Sequence, residues 1–198
     1  MSVQVAGKGS ETANVSKLTI SSNTGSNVVD LRGGFVQLTY TESIMSDTIT
    51  ANFTFADSGA SVDGKSVRDG LPLVMEEKVE LEMEDNSENK IAVTLYVNDF
   101  NPIVNKTQKS MLSLSLVSKE FIMNENVRVR ERYDGKPSDH IQKIVTDILK
   151  SEKTIDVEET VINLNFIPNN KKPFYIISNL CKKSVSSENQ TLGSTAGY

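Results

Sequence analysis

Residues 35–56, FVQLTYTESIMSDTITANFTFA, contain two alternating segments joined by a short polar link. Apolar side chains alternate with threonine or asparagine in residues 49–56, and residues 35–41 alternate in a similar way. A period of two places one row of side chains in a core and the other in water, as in a half-buried β-strand. The stretch therefore predicts an antiparallel hairpin at the heart of a β-sheet.

Further strands are predicted on both sides of this hairpin, at 15–20 (an edge strand), 28–31, 78–84, 91–97 and 112–116. The clearest pair is 78–84 with 91–97, because both arms alternate and a polar turn separates them. Residues 57–70 are rich in glycine, serine and aspartate and predict a long loop. Residues 100–109 are expected to be a connection broken by Pro102. This spacing of strands and turns is typical of a small barrel or sandwich.

The pattern changes at about residue 120. Residues 127–133 predict a transition strand, and a helix is expected to begin at Pro137 or Ser138, where a missing N–H costs nothing or a hydroxyl can cap. Its apolar stripe has helical spacing: Ile141, Ile144, Val145, Ile148 and Leu149. Residues 161–167 predict a short strand, and Pro173 opens a second helix. The second helix is expected to bury one face: Phe174, Ile177, Leu180 and Cys181.

These elements predict an α+β protein that is mainly β, divided near residue 119. Residues 1–16 are small and polar and predict a flexible arm. Residues 17–119 predict an antiparallel β-barrel domain, and residues 120–198 an α/β domain that is expected to be incomplete.

Composition excludes several classes of protein. The 198 residues carry a formal net charge of −5, which argues against nucleic-acid binding because that function needs a basic surface. The single cysteine, Cys181, excludes an internal disulfide and a multi-thiolate metal site. The N-terminus lacks the apolar segment of a signal peptide, and no apolar run is long enough to span a membrane.

The chain shows no catalytic, metal-binding or cofactor-binding pattern, so we expect neither an enzyme nor a cofactor. The only histidine, His140, is expected to have a surface or capping role, because Asp139 beside it points to another side of the helix. Cys181 is expected to be a buried and inert thiol. The glycines match neither a phosphate loop nor a dinucleotide fingerprint.

An acidic row on one strand is the first candidate functional surface. Glu80, Glu82 and Glu84 share one face of the strand 78–84, where like charges repel unless a cationic neighbour compensates. One interpretation is a solvated face that prevents edge pairing. The other is an acidic surface that lines a passage or faces a basic partner. A metal site is a weaker third, because one strand face cannot complete a coordination sphere.

A basic row is the second candidate. Arg128, Arg130 and Arg132 alternate along the predicted transition strand, either as an exposed face partly paired with Glu125 and Glu131 or as a row that docks an anion or a partner. Three arginines without aromatic residues are too few for a nucleic-acid groove.

The order of four segments resembles the N-terminal part of the baseplate central hub protein of T-even-like contractile-tailed bacteriophages. They are FVQLTYTESIMSDTITANFTFADSG, GLPLVMEEKVELEM, MLSLSLVSKEFIMNENVRVRERYDGKPSDHIQKIVTDIL and KKPFYIISNLCKKS. The most specific pieces are the polar TES…DT link before the strand that ends at Asp57, and the NENVR…GKPSDHIQKI passage before the first helix. The resemblance covers about residues 15–185.

The resemblance implies a structural virion protein in the tail baseplate, with a tail-tube-like β-barrel as its first domain. It implies a homotrimer that forms a pseudo-sixfold ring for DNA passage and joins the tail tube to the central spike. The implied partners are the tail spike or tail lysozyme protein, the tail tube and other baseplate proteins. The acidic row would then belong to a negatively charged lumen. Hubs of this family are longer, so the chain is expected to be a fragment.

Two other functions remain open at this stage. A type VI or phage-like secretion-system spike or tube adaptor would use the same barrel. A cell-wall hydrolase that uses the acidic row is disfavoured, because glycosidases need two opposed carboxylates in different environments.

Overall fold

The computed structural model describes residues 13–25, 27–57, 59, 62–85, 89–106 and 109–187, with the main chain only at 104–106 and 109. The chain forms two units. The first contains residues up to 41 together with 49–118, and the second contains 42–48 together with the chain from 119 onward. The short link inside the predicted central hairpin therefore belongs to the second unit.

The first unit is a seven-stranded antiparallel sheet curled into a half-barrel, so the mainly β fold expected from the sequence is confirmed. Its strands are β1 Asn14–Ser21, β2 Val28–Asp30, β3 Phe35–Thr41, β4 Thr50–Asp57, β5 Lys78–Glu84, β6 Lys90–Lys106 and β7 Lys109–Val117. Their order across the sheet is β2-β1-β5-β6-β7-β4-β3. The last three residues of the predicted arm, 14–16, are part of β1, and the rest of the arm lies almost entirely outside the described residues.

The predicted hairpin of β3 and β4 is confirmed, with Leu38 opposite Phe53 and Thr39 opposite Asn52. Its predicted place at the heart of the sheet is wrong, because β3 is an edge strand. The far side of β4 pairs along its whole length with β7. The centre of the sheet is instead β6, which pairs with both β5 and β7.

Two other sequence predictions in the sheet are corrected. Strand β1 was expected at an edge but lies between β2 and β5, because its register pairs Leu18 with Leu81 and Thr19 with Asp30. Of the predicted connection at 100–109, residues 100–106 are instead the second half of β6, and Lys109 begins β7. Strand β5 pairs with β6 only up to Tyr96, so β6 runs beside β7 alone at Pro102, where the missing N–H of proline is tolerated.

The core of this unit is built from the inward rows of all the long strands. Its fully buried residues include Leu18, Ile20, Phe53, Val79, Leu81, Leu95, Val97, Leu114 and Leu116. The rings of Phe53 and Phe55 are stacked with their centroids 5.5 Å apart, and Phe35 covers Phe53 at 5.6 Å. The predicted alternation in β4 and in the hairpin of β5 and β6 is confirmed by this pattern.

The predicted long loop after β4 contains a short helix, α1 Val67–Gly70. The hydroxyl of Ser66 caps it by accepting a hydrogen bond from the Asp69 amide at 3.1 Å. Gly70 is required at the end of α1, since a Cβ there would lie 2.4 Å from the Cβ of Val62.

The second unit contains three further helices, α2 Lys119–Asn126, α3 Pro137–Lys143 and α4 Pro173–Lys183, and a π-helical turn Ile144–Ile148 continues α3. The two predicted starts at Pro137 and Pro173 are confirmed, whereas the sequence did not predict α2. Its hydrophobic core includes the buried residues Val129, Tyr133, Ile144, Ile176 and Leu180.

The strands predicted at 127–133 and 161–167 are wrong. The structure has only isolated bridges there, Val129 with Lys171 and Tyr133 with Phe166. Asn169 and Asn170 both have positive φ, so the chain turns between the two bridges and a continuous ladder does not form.

Candidate functional site

The acidic row is compensated by lysines, which corrects the view of an unpaired like-charge face. Glu80 lies 2.7 Å from Lys17 Nζ and 2.6 Å from Lys78 Nζ. The other two acids are held more loosely. Glu82 lies 3.7 Å from Lys17, its directly opposite residue on β1, and Glu84 lies 3.8 Å from Lys90, its opposite residue on β6. The pairing of β1 with β5 therefore supplies the cationic neighbour that the row requires.

Glu80 is the most strongly perturbed carboxyl group of the row. Hydrogen bonds from Lys17 and Lys78, followed by their charges, lower its pKa to about 2. The same contacts raise the pKa of both lysines. Glu80 therefore stays ionised at a lower pH than an isolated glutamate does.

We expect the pairing of Glu80 to add a small, pH-dependent increment to stability. Because the folded pKa lies below the unfolded value of 4.5, the increment is complete above 4.5 and is lost as the pH falls toward 2. It should stay within about 1 kcal/mol because the side chain is one-third exposed. Urea unfolding between pH 2.5 and 7 tests this, since Glu80→Gln should flatten the pH dependence more than Glu82→Gln does. Equal pH profiles for both variants would contradict the assignment.

The three arginines are exposed, and each contacts groups near it. Arg128 donates hydrogen bonds from Nη1 to the carbonyls of Asn124, Glu125 and Val127 at the end of α2, at 3.3, 2.9 and 2.8 Å. Arg130 donates to Asn170 Oδ1 at 2.8 Å, and Arg132 donates to Asp134 at 2.9 Å. Each arginine thus has its own local partner, and the predicted strand that would align them is absent. The expected acidic partners also pair elsewhere, Glu125 with Lys172 and Glu131 with Lys143.

His140 lies inside the second unit, which corrects its predicted surface role. It is 5% exposed, and its ring centroid is 5.2 Å from that of Tyr133 and 5.8 Å from that of Phe166. Its Nε2 lies 3.2 Å from the carbonyl oxygen of Leu164. In the sequence, His140 lies four residues before the buried Ile144, and this spacing on a helix indicates that both side chains share the buried face. The ring is therefore a hydrogen-bonded part of the core.

Cys181 is partly buried, and burial raises the pKa of its thiol. A thiol held protonated in this way is a poor nucleophile. Among the described residues, no group of three or more His, Cys, Asp or Glu side chains is arranged to hold a metal ion. In the same part of the chain, no helix is both long enough and apolar enough to cross a membrane.

Two adjoining cavities lie within the second unit, and no pattern in the sequence predicts them. The first, of about 410 Å³, runs along one face of α4, with Lys172, Tyr175, Ser178 and Lys182 in its wall. The second, of about 300 Å³, includes Glu120, Ser151, Lys153 and Asp156. Asp47 and Phe174 line both cavities. We call these two cavities together the α4 groove.

No protein-family model matches the sequence, and no curated protein matches it. Several solved structures are similar, and two of them are described here. A tail protein from Neisseria meningitidis MC58 aligns with a TM-score of 0.52 at 8% identity, over 84% of this chain and 44% of that protein. A component of the type VI secretion system from E. coli, which exhibits structural similarity to the T4 bacteriophage tail proteins gp27 and gp5, aligns with a TM-score of 0.46 at 10% identity, over 88% of this chain and 41% of that protein.

At 8% identity, the alignment with the Neisseria meningitidis tail protein shows a shared fold. The chain spans less than half the length of either matched protein. The fold expected from the sequence, that of a tail protein, is thus confirmed.

Proposed function

We propose that this chain is part of a structural protein of a bacteriophage tail, the baseplate central hub that joins the tail tube to the central spike. The observation that carries the proposal is the fold shared with a tail protein over 84% of the chain. The segment order noted in the sequence supports the hub in particular. The proposal assigns the chain no enzymatic activity, no cofactor and no sequence-specific nucleic-acid binding.

The proposed hub is a homotrimer that forms a pseudo-sixfold ring. The open sheet of the first unit supports self-association, because β3 is a seven-residue edge strand with no charged residue and no proline. Phe35 and Val36 on this strand are 42% and 49% exposed. Natural edge strands are usually protected by charge, proline or a covering element, so an edge of this kind favours an additional strand or chain beside it.

The particle mass of the longest chain that contains this sequence tests the trimer. We expect a trimer by sedimentation equilibrium, and Val36→Lys, which places a charge on the β3 edge, should shift the population toward monomer. Val161→Lys, at an exposed apolar residue of the second unit, is the matched control and should leave the mass unchanged. A strictly monomeric species at all concentrations would contradict the ring.

Within the proposed ring, the acidic row Glu80, Glu82 and Glu84 faces the lumen, where negative charge would keep the DNA backbone from binding. The partly exposed acids of this row support the assignment, although Lys17, Lys78 and Lys90 reduce its net charge. An electron cryo-microscopy map of the ring tests the orientation directly. A row on the outer surface would contradict it.

The alternative is a spike or tube adaptor of a type VI or phage-like secretion system, which would use the same half-barrel. Genes for tail tube and capsid proteins beside the gene for this protein would favour the phage tail. Neighbouring genes for a secretion system would favour the adaptor. Co-purification with the neighbouring tube and spike proteins is expected under both functions. Binding to neither protein would contradict both.

A further inference from the structure

We propose that the α4 groove binds an extended peptide segment of a partner protein that carries one acidic and one basic side chain. The shape of the groove is the first argument. Its two cavities meet at Asp47 and Phe174, which gives an elongated site rather than a single compact one. The larger cavity falls within the volume range of ligand sites, and an extended chain fits both cavities in sequence.

The unpaired charges of the groove are the second argument. Lys172 pairs with Glu125, and Lys153 lies 3.0 Å from Glu120, so these four charges neutralise each other. Lys182 in the first cavity and Asp156 in the second have no ion pair or hydrogen bond with any described residue. The same holds for Asp47, which lies where the cavities meet. A ligand therefore meets a free cation at one end and free anions at the centre and the other end.

The uncharged walls of the first cavity suit a polypeptide. Tyr175 is 55% exposed, and Lys171 Nζ lies 5.4 Å from its ring centroid, so the ring is held at the surface without being covered. Asn179 donates to the Tyr175 carbonyl at 2.8 Å, which leaves its amide oxygen as an acceptor. The hydroxyl of Ser178 has no partner among the described residues. Exposed tyrosine and such adaptable polar groups are typical of protein-binding surfaces.

The link that supplies Asp47 also exposes two large apolar side chains. Ile44 and Met45 are 92% and 83% exposed, which is unusual for two successive large apolar residues. The link is a hydrogen-bonded turn, in which Ser46 N donates to the Ser43 carbonyl at 3.0 Å and Met45 N donates to Ser43 Oγ at 3.1 Å. A turn that is fixed in this way presents both side chains at little further entropic cost on binding.

The inference is independent of the proposed tail function and is tested by nuclear magnetic resonance titration of the chain with three acetylated, amidated hexapeptides. The peptides EAAGAK and KAAGAE have both charges in opposite orders, and QAAGAQ is the neutral control. We expect one charged peptide to bind about tenfold or more tighter than QAAGAQ, because only that order of charges places an acidic side chain at Lys182 and a basic one toward Asp47 and Asp156. Amide shifts should be confined to the residues that line the two cavities, on α4, in the link 42–48 and in the segment 151–156.

Two substitutions make the test specific. Lys182→Ala should weaken binding of the preferred peptide about fivefold or more, whereas Lys183→Ala, which removes the adjacent exposed lysine outside the groove, should change it less than about twofold. Ser178→Trp fills the groove from α4 and should abolish binding while the spectrum stays folded. Equal affinity for all three peptides, equal effects of the two lysine substitutions, or full binding to Ser178→Trp would overturn the inference.

Discussion

Replacing Phe53 by alanine is expected to lower the free energy of unfolding of the β-sheet unit by about 3–5 kcal/mol. Phe53 has no exposed surface and packs between the rings of Phe35 and Phe55, with centroids 5.6 and 5.5 Å away. Alanine removes the whole ring and leaves a cavity that the paired strands on both sides of β4 cannot close. Urea unfolding followed by circular dichroism in the β-sheet region measures the change.

Phe35→Ala is the matched control, because it removes a ring from the same group of three. Phe35 is 42% exposed on the edge strand β3, so its loss should cost about 1 kcal/mol. A loss of stability for Phe35→Ala as large as that for Phe53→Ala would show that the edge, and not the interior of the half-barrel, limits its stability.

Replacing Asp57 by alanine is expected to destabilise the same unit by about 2–4 kcal/mol. Asp57 is the last residue of β4 and is 4% exposed. Its Oδ2 accepts a hydrogen bond from the Val67 amide at 2.7 Å, and its Oδ1 accepts one from the Gly59 amide at 3.0 Å. Alanine leaves the buried amide at the start of α1 without an acceptor, and a buried unsatisfied donor is costly.

Asp69→Ala is the control for this carboxylate. Asp69 lies in α1 but is exposed, and its carboxylate accepts a hydrogen bond from the Ser66 hydroxyl at 2.9 Å. Its loss should cost about 0.5 kcal/mol because water replaces the contact. Hydrogen exchange of the amides in 62–71 adds a local readout, since Asp57→Ala should release this segment from the sheet. Unchanged protection in Asp57→Ala would show that the Asp57 carboxylate does not hold the start of α1 against the sheet.

The elements that the sequence predicted well are those fixed by local patterns. The hairpins of β3 with β4 and of β5 with β6 follow from alternation on both sides of a short turn. The starts of α3 and α4 follow from Pro137 and Pro173, each at the first turn of a helix. Such signals lie within a few residues of one another, so they do not depend on the remainder of the fold.

The errors concern contacts between residues that are distant in the sequence. Pro102 suggested a break, but it is tolerated because β6 has β7 alone beside it at that point. His140 was expected at the surface, but residues more than twenty positions away, Leu164 and Phe166, enclose it. The arginine row required a strand that two asparagines with positive φ prevent. In each case the error came from a segment that is distant in the sequence.

The candidate sites also differ in whether local patterns or distant contacts form them. Alternation in the sequence correctly predicted that the glutamates of β5 share one face, but only the pairing of β1 with β5 showed that Lys17 lies opposite Glu82. The α4 groove was not predicted, because Asp47 and Lys182 are separated by more than a hundred residues. A cavity wall assembled from such distant segments leaves no periodic signal in the sequence.

The sequence by itself determined that this protein is mainly β, that its strands form hairpins, that two helices with a proline in the first turn follow, and which strand side chains face the core of the sheet. These properties depend on short-range periodicity and backbone preference. Only the tertiary structure decided the order of the strands, the lysine partners of the acidic row, the burial of His140 and the shape of the α4 groove. These depend on which segments meet after long loops close, and the hydrophobic pattern alone allows several such pairings.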